Sequence, residues 1–360
     1  MNDAANQPLP MSIDEITPAW LTAALRASAP DATVHAAEIV DVRNGACTKI
    51  RIRLDLNEAG RAAGIPEQII LKGGFELHSR DKALLHDREV RGYRHVLPVL
   101  ELPSPACYFA DYRADQQQGI VIMEDLTLRN VDFCDALRPQ SFEQVRDRLT
   151  VFARFHARTW ASTEFETGRW AWVEDGMPRH RANFERRYFE PETWKKITSL
   201  PRSAASSVQF QRLDWARHAL DKLVKLSARL PHVILHGDAH LGNMYVEPDG
   251  SPGFYDPMTH RDHAMRDVAY HMGGAIDSAD RRRWEGVLLQ HYLDELQRNG
   301  VEAPPYEEAR RIYAAYLAIG YLLFLVNDTQ YQPEAINTAN TARFSIAMIE
   351  NDTDDILNSI

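Results

Sequence analysis

The chain has 360 residues, 44% of them hydrophobic and 26% charged, a length that exceeds one ordinary core and points to two domains. Its formal net charge of −10 argues against nucleic acid or an anionic membrane as partner, because such binding draws on concentrated Lys and Arg. The cysteines Cys47, Cys107 and Cys134 are odd in number and far apart, which suggests neither a disulfide framework nor a zinc ribbon and fits a reducing cytoplasm.

In chain order, Met1–Pro10 lacks a basic segment followed by an apolar stretch, so no secretory signal is expected and the segment reads as disordered. Thr17-Pro18 writes a helix start over 17–28, a capping hydroxyl followed by proline at the first helical position. Short β-type segments follow at Ala36–Val42, Thr48–Leu56 and Gln68–Lys72, separated by turn signals at Asn44-Gly45 and Gly60–Pro66. A charged helix spans about Asp81–Leu97, and two more strands, Ala106–Ala110 and Gly119–Met123, flank a polar tip.

After Leu126 the character turns helical. Ser141 and Gln144 form a capping box, and Phe142, Val145, Leu149, Phe152 and His156 recur at helical spacing, which makes His156 a core histidine. Three β-like pieces (Val233–His236, Asn243–Val246, Gly253–Asp256) interrupt the helices. The apolar run Ile312–Val326 is shorter than the ~20 residues that cross a bilayer and reads as a core helix. The polar tail from Glu350 reads as disordered. The expected division is 1–126, β-rich, and 127–360, mainly helical: an α+β, two-lobed fold.

The stretch His236-Gly237-Asp238-Ala239-His240-Leu241-Gly242-Asn243, with Asp256 thirteen residues beyond Asn243, carries the chemistry. Phosphoryl transfer needs a carboxylate that orients the attacking hydroxyl and oxygen ligands that hold Mg²⁺ against phosphates. One Asn and one Asp suffice, because Mg²⁺ keeps several waters.

This pattern, HGDxHxxN and then a strand ending in Asp, resembles the aminoglycoside phosphotransferase and choline kinase superfamily, and within it the ecdysteroid kinase-like branch. The resemblance implies a protein-kinase-like fold, ATP and Mg²⁺ as cofactors, and a small hydroxylated molecule as phosphate acceptor. It implies Asp238 as catalytic base, His236 as brace of its loop, Asn243 and Asp256 as metal ligands, and Asp267 as an anchor reaching the loop from a later helix. Upstream, Gly45 and Thr48 lie where a phosphate-covering loop is expected. Lys72 and Glu89 fit the pair that positions phosphates, and the backbone around Glu124 and Leu126 fits the hinge that hydrogen-bonds adenine. Relatives carry an aromatic residue after the metal-binding Asp; here Pro257 follows, and it should push Asp256 toward an extended backbone.

Two rival readings remain open on sequence. A metal-dependent hydrolase could use His236, Asp238 and His240 with His260, Asp262 and His263. A pseudokinase could bind nucleotide without transfer. The Arg/aromatic segment Gly168–Lys196 lies where relatives contact substrate, although helix packing explains it equally well, and Arg281-Arg282-Arg283 reads as a solvated helix start. The acceptor's identity and the oligomeric state are not written in the sequence.

Overall fold

The structure, a computed structural model, describes residues 8–45, 47–76, 79 and 83–360. It divides into two compact units, residues 1–131 with Gly253–Met258, and Asp132–Pro252 with Thr259–Ile360. The first unit thus extends to Val131 rather than Leu126, and it takes in a segment distant in sequence.

The first unit is built on an antiparallel sheet of β1 (Val34–Arg43), β2 (Thr48–Leu56), β3 (Gln68–Gly73), β4 (Cys107–Arg113) and β5 (Gln118–Glu124), ordered β1-β2-β3-β5-β4. Strand β2 shows why the sheet forms: Thr48, Ile50, Ile52, Leu54 and Leu56 alternate inward between outward Lys49, Arg51, Arg53 and Asp55. Ile50, Ile52, Ile69, Leu71, Ile120 and Ile122 join Trp20, Leu21 and Leu25 of the helix Pro18–Leu25 in one core, each buried aliphatic contributing about 1.5–3 kcal/mol. Thr17 caps that helix, accepting the Trp20 N–H at 3.2 Å. Because side chains alternate, Lys72 leaves β3 on the face opposite Leu71.

The helix Ala83–Arg91 runs on through a π turn, Gly92–Val96, to Leu97–Leu100. The expected start at Asp81 lies outside the described residues, as does Met1–Gln7. Pro8–Pro10, expected to be disordered, is anchored: Leu9 is buried in the core, and its N–H and C=O both pair with the Gln116 amide at 3.0 Å.

In the second unit the capping box is present, with Ser141 accepting from Gln144 N–H and the Gln144 side chain accepting from Ser141 N–H. The helix Tyr306–Val326 is long and apolar enough by composition to span a membrane, but 78% of its most apolar window is buried, which makes it the core helix expected. A Cβ at Gly273 or Gly320 would collide with the Phe344 ring, so glycine at both positions lets the helices Met265–Ala275, Tyr306–Val326 and Glu334–Glu350 approach closely. Short strands fill in between: β6 (Asp132–Phe133), β7 (Val233–Leu235), β8 (Met244–Val246), β9 (Pro252–Phe254) and β10 (His260–Asp262). β6 pairs with β8 and β10 with β7.

Two expectations fail here. The tail after Glu350 folds into the helix Thr353–Asn358, held by Thr353 Oγ1 on Ala314 O (2.8 Å) and Trp215 Nε1 on Asp354 (2.8 Å), so Ile356 and Leu357 supply the burial its polar composition hid. Arg281 is not solvated but buried against Glu285 (2.6 Å) and Glu350; Arg282 and Arg283 are exposed.

Candidate active site

The catalytic-loop candidate, 236–243, follows β7 in the second unit. Gly237 sits at φ 82°, a left-handed conformation that costs a side chain about 1–2 kcal/mol, so the turn requires this glycine. Asp267, in the first turn of Met265–Ala275, clamps the loop by its backbone: His236 N–H donates to it at 2.7 Å and Gly237 N–H at 3.1 Å. His156 Nε2 lies 3.5 Å from the same carboxylate, and its Nδ1 is 2.9 Å from Tyr292 Oη. The histidine read as core packing is fully buried as expected.

His236 Nδ1 accepts the Asp238 N–H at 3.3 Å, which braces the turn. The Asn243 amide donates to the Asp238 backbone carbonyl (3.0 Å) and to its Oδ2 (2.9 Å). Committing its NH₂ this way turns the Asn243 Oδ1 into the group able to ligate a cation. Tyr270 Oη stands 3.4 Å from Asp238 Oδ1. His240 Nδ1 accepts the Gly242 N–H at 2.9 Å, and its Nε2 lies 3.5 Å from Asp238 Oδ2 and 3.2 Å from the Gln332 amide nitrogen. Burial opposes ionisation of Asp238, but His240, His236 and the Asn243 amide outweigh it and hold the carboxyl below its usual range. Its side chain remains 32% exposed, open to a substrate.

In the first unit, Lys72 Nζ is 2.6 Å from Glu89 and 2.9 Å from Asp256, and Lys49 Nζ is 3.2 Å from the other Asp256 oxygen. Lys72 is buried rather than a strand-end lysine in water. Burial works against its charge, yet Asp256 and Glu89 together raise its pKa well above the ordinary value. Glu89 is shifted upward, burial outweighing Lys72. For Asp256 burial is again the largest influence, and Lys49 and Lys72 override it to hold the carboxyl far below its usual range. Asp256 is not extended. It stands at φ 55°, in the left-handed region, where the clash with Pro257 is overruled by two lysines and by the Asp256 N–H, which donates to Tyr93 Oη at 3.1 Å. The π turn puts Tyr93 there. Strain of ~1–3 kcal/mol held by such contacts is characteristic of functional positions.

The description ecdysteroid kinase-like family fits residues 46–300 of the chain. The chain belongs to the ecdysteroid kinase-like family. A search of curated proteins finds no match. Among solved structures, the chain is similar to a protein from Ralstonia eutropha assigned as an aminoglycoside phosphotransferase, at 12% identity and TM-score 0.53 over 92% of this chain and 97% of that one. It is also similar to amicoumacin kinase hAmiN, solved with AMP-PNP, Ca²⁺ and Ami (12% identity, TM-score 0.49, 90% of this chain and 88% of that one). Choline kinase LicA from Streptococcus pneumoniae is a third (15% identity, TM-score 0.46, 85% and 94%). The fold is that of the aminoglycoside phosphotransferases, α+β and protein-kinase-like, with a β-sheet N-terminal region and a helical C-terminal one.

Within this ecdysteroid kinase-like chain the remaining candidates are placed unevenly. In the tip between β1 and β2, Ala46 lies outside the described residues. Gly45 has no left-handed φ, and a Cβ there would meet Cys47 O at an ordinary 3.6 Å, so nothing among the described residues demands glycine by conformation or space. Thr48 is fully buried, which puts its side chain beneath the surface a phosphate would touch. At the segment expected to meet adenine, the Glu124 N–H already donates to Ala106 O at 2.9 Å. Asp125, between Glu124 and Leu126, is the fixed point. Despite burial, Thr127, Arg51 and Gln68 lower its pKa, with Arg51 Nε at 2.7 Å and Gln68 Nε2 at 2.8 Å.

The hydrolase set does not assemble. Asp262 Oδ1 is taken by Ser227 (2.6 Å), Tyr316 (2.7 Å) and the His263 N–H (2.7 Å). Among the described residues, the only three His, Cys or acidic side chains with ligand atoms gathered closely are Cys47, His86 and Glu89. The Gly168–Lys196 segment divides: Trp170, Phe184 and Trp194 are packing, whereas His180, Arg187 and Tyr188 line a pocket of about 350 Å³ with Asp328 and Tyr331. Lys49, Tyr93, Tyr270 and His240's contact with Asp238 were not assigned roles from sequence. Lys49 and Tyr270 carried a legible signal, being one pleat and one helical turn away from residues that were.

Proposed function

We propose that this protein transfers the γ-phosphoryl group of ATP to a hydroxyl of a small molecule. The observation that carries the reading is the Asp238–Asn243 pair in a loop whose backbone is clamped by Asp267. Membership in a kinase-like family and a phosphotransferase fold support phosphoryl transfer as the chemistry.

Asp238 accepts a hydrogen bond from the acceptor hydroxyl and orients its oxygen. A carboxylate held below its usual pKa is too weak a base to strip an alcohol beforehand, so the proton moves late, as the bond to phosphorus forms. Asn243 fixes the carboxylate's rotamer with its NH₂, which leaves its Oδ1 as the atom that would hold a metal ion. Lys72 neutralises charge on the nucleotide phosphates and is itself held by Glu89. Asn243 in one unit and Asp256 in the other each offer the hard oxygen donor Mg²⁺ prefers; Mg²⁺, when bound, would supply charge neutralisation on the phosphates. Asp256, now shared by Lys49 and Lys72, is already held ionised as a metal ligand must be. The acceptor enters beside His180, Arg187 and Tyr188.

The test is a thermal-shift screen of hydroxylated small molecules with a non-hydrolysable ATP analogue and Mg²⁺, because native-state ligands raise apparent stability. Turnover of each hit is then compared with Asp238→Ala. Loss of turnover by orders of magnitude with nucleotide binding kept supports the proposal; near-wild-type turnover in the variant sinks it. Nucleotide binding without turnover on any acceptor would identify a pseudokinase.

A further inference from the structure

The hairpin tip beside the Lys72–Glu89 pair carries a cysteine that phosphoryl transfer does not use. Cys47 Sγ lies 3.4 Å from His86 Nδ1, and His86 Nε2 lies 3.1 Å from the Ser79 carbonyl oxygen. A carbonyl only accepts, so Nε2 bears the ring proton and Nδ1 turns its lone pair to sulfur. Burial above all keeps the Cys47 thiol protonated, pushing it up to about 12 against the pull of Lys72, so the S–H donates to Nδ1. His86 and Glu89 are three residues apart on one helix and share a face. One ligand atom each from Cys47, His86 and Glu89 falls within 4.8 Å of the other two.

We propose that Cys47, His86 and Glu89 bind a zinc ion, through the Cys47 sulfur, His86 Nδ1 and a Glu89 carboxylate oxygen. Tetrahedral zinc with bonds of about 2.3 Å to sulfur and about 2.0 Å to nitrogen sets those two atoms about 3.5 Å apart, close to the 3.4 Å found. A thiolate with an imidazole selects zinc over Mg²⁺, which keeps to oxygen. A ligating histidine whose other nitrogen donates to a carbonyl is the usual outer arrangement of zinc sites. On binding, the sulfur–zinc bond forms and the Cys47 S–H proton leaves to solvent, a coordinated thiol being deprotonated outright; no electrons are transferred. Zinc and Lys72 then compete for Glu89. That last consequence rests on the phosphotransfer reading, whereas the binding itself does not.

The experiment strips the full-length protein of metal and titrates Zn²⁺ against a chromogenic chelator, then repeats the titration with Co²⁺ as a spectroscopic probe. One zinc per chain is expected, weakened at least ~10-fold in Cys47→Ser and in His86→Gln, since even outer partners of a zinc site are worth that much. Cobalt should give a thiolate-to-metal charge-transfer band that Cys47→Ser removes and Cys107→Ser and Cys134→Ser keep. Absence of that band in folded wild-type protein at saturating Co²⁺ overturns the proposal, as does zinc binding in Cys47→Ser as tight as in wild type. The wild-type spectrum decides even if His86→Gln fails to fold, and neither arm depends on turnover.

Discussion

Two carboxylates, one in each unit, are held ionised by opposite means. Asp256 is gripped by the ammonium groups of Lys49 and Lys72, 3.2 and 2.9 Å away. Asp238 is held by the Asn243 amide, by His240 and by Tyr270, in a loop fixed through backbone N–H groups on Asp267. A carboxylate satisfied by cations is one where a metal ion could replace a lysine. A carboxylate held by an amide, a hydroxyl and a histidine rather than by lysines keeps the capacity to take one more hydrogen bond, from a hydroxyl. That difference is what the proposed roles require, Asp256 as metal ligand and Asp238 as proton acceptor.

The sharpest way to break this comparison is at Lys72. Lys72→Met strands the buried Glu89 carboxylate and leaves Asp256 with Lys49 alone, and loss of one partner from a buried ion pair costs about 3–5 kcal/mol. Chemical denaturation should register that loss, and calorimetry should show weakened nucleotide binding. Unchanged stability would mean Glu89 is already neutral and Lys72 spare. In the other unit, Asp267→Ala leaves the His236 and Gly237 N–H groups without their acceptor, at about 1–3 kcal/mol. Turnover should fall with it, while nucleotide affinity holds.

The acid limb of the stability curve comes next. Asp256 has a folded pKa below its unfolded value of about 3.9, so the unfolded chain takes up more protons as pH drops through that range. The stability it contributes is therefore present above about pH 4 and lost as the pH falls toward the folded value. Glu89, shifted upward by burial, contributes in the opposite sense. Urea titrations from pH 6 to 3 should thus show a flatter acid loss in Asp256→Asn than in wild type. The smallest effect is Tyr270→Phe, which removes one long hydrogen bond to Asp238 and should cost turnover only a few-fold, on the order of 1 kcal/mol.

Much of this was legible in the sequence, for local reasons. Strand β2 obeys period two from Thr48 to Leu56 and is found with those bounds. The caps at Thr17 and Ser141 need only the residues that make them, and the Asp238–Asn243 contact forms across six residues that end in the short 3₁₀ turn Leu241–Asn243. What stayed hidden depends on partners distant in the chain. β6 and β10 span two and three residues and exist only because β8 and β7 pair with them. The helix Thr353–Asn358 looks polar until Ala314 and Trp215 are beside it. Local rules also mislead at Asp256: Pro257 argues for an extended backbone, and Lys49, Lys72 and Tyr93, all far away in sequence, win.

The most direct test of phosphoryl transfer through Asp238 is phosphorus-31 NMR of wild type and Asp238→Asn with ATP, Mg²⁺ and an acceptor from the stability screen, with nucleotide binding measured alongside. Wild type should yield ADP and a new phosphomonoester, while Asp238→Asn binds nucleotide equally well and forms product about 10²–10⁴-fold more slowly. Product formation at the same rate in both proteins would contradict the role of Asp238 outright.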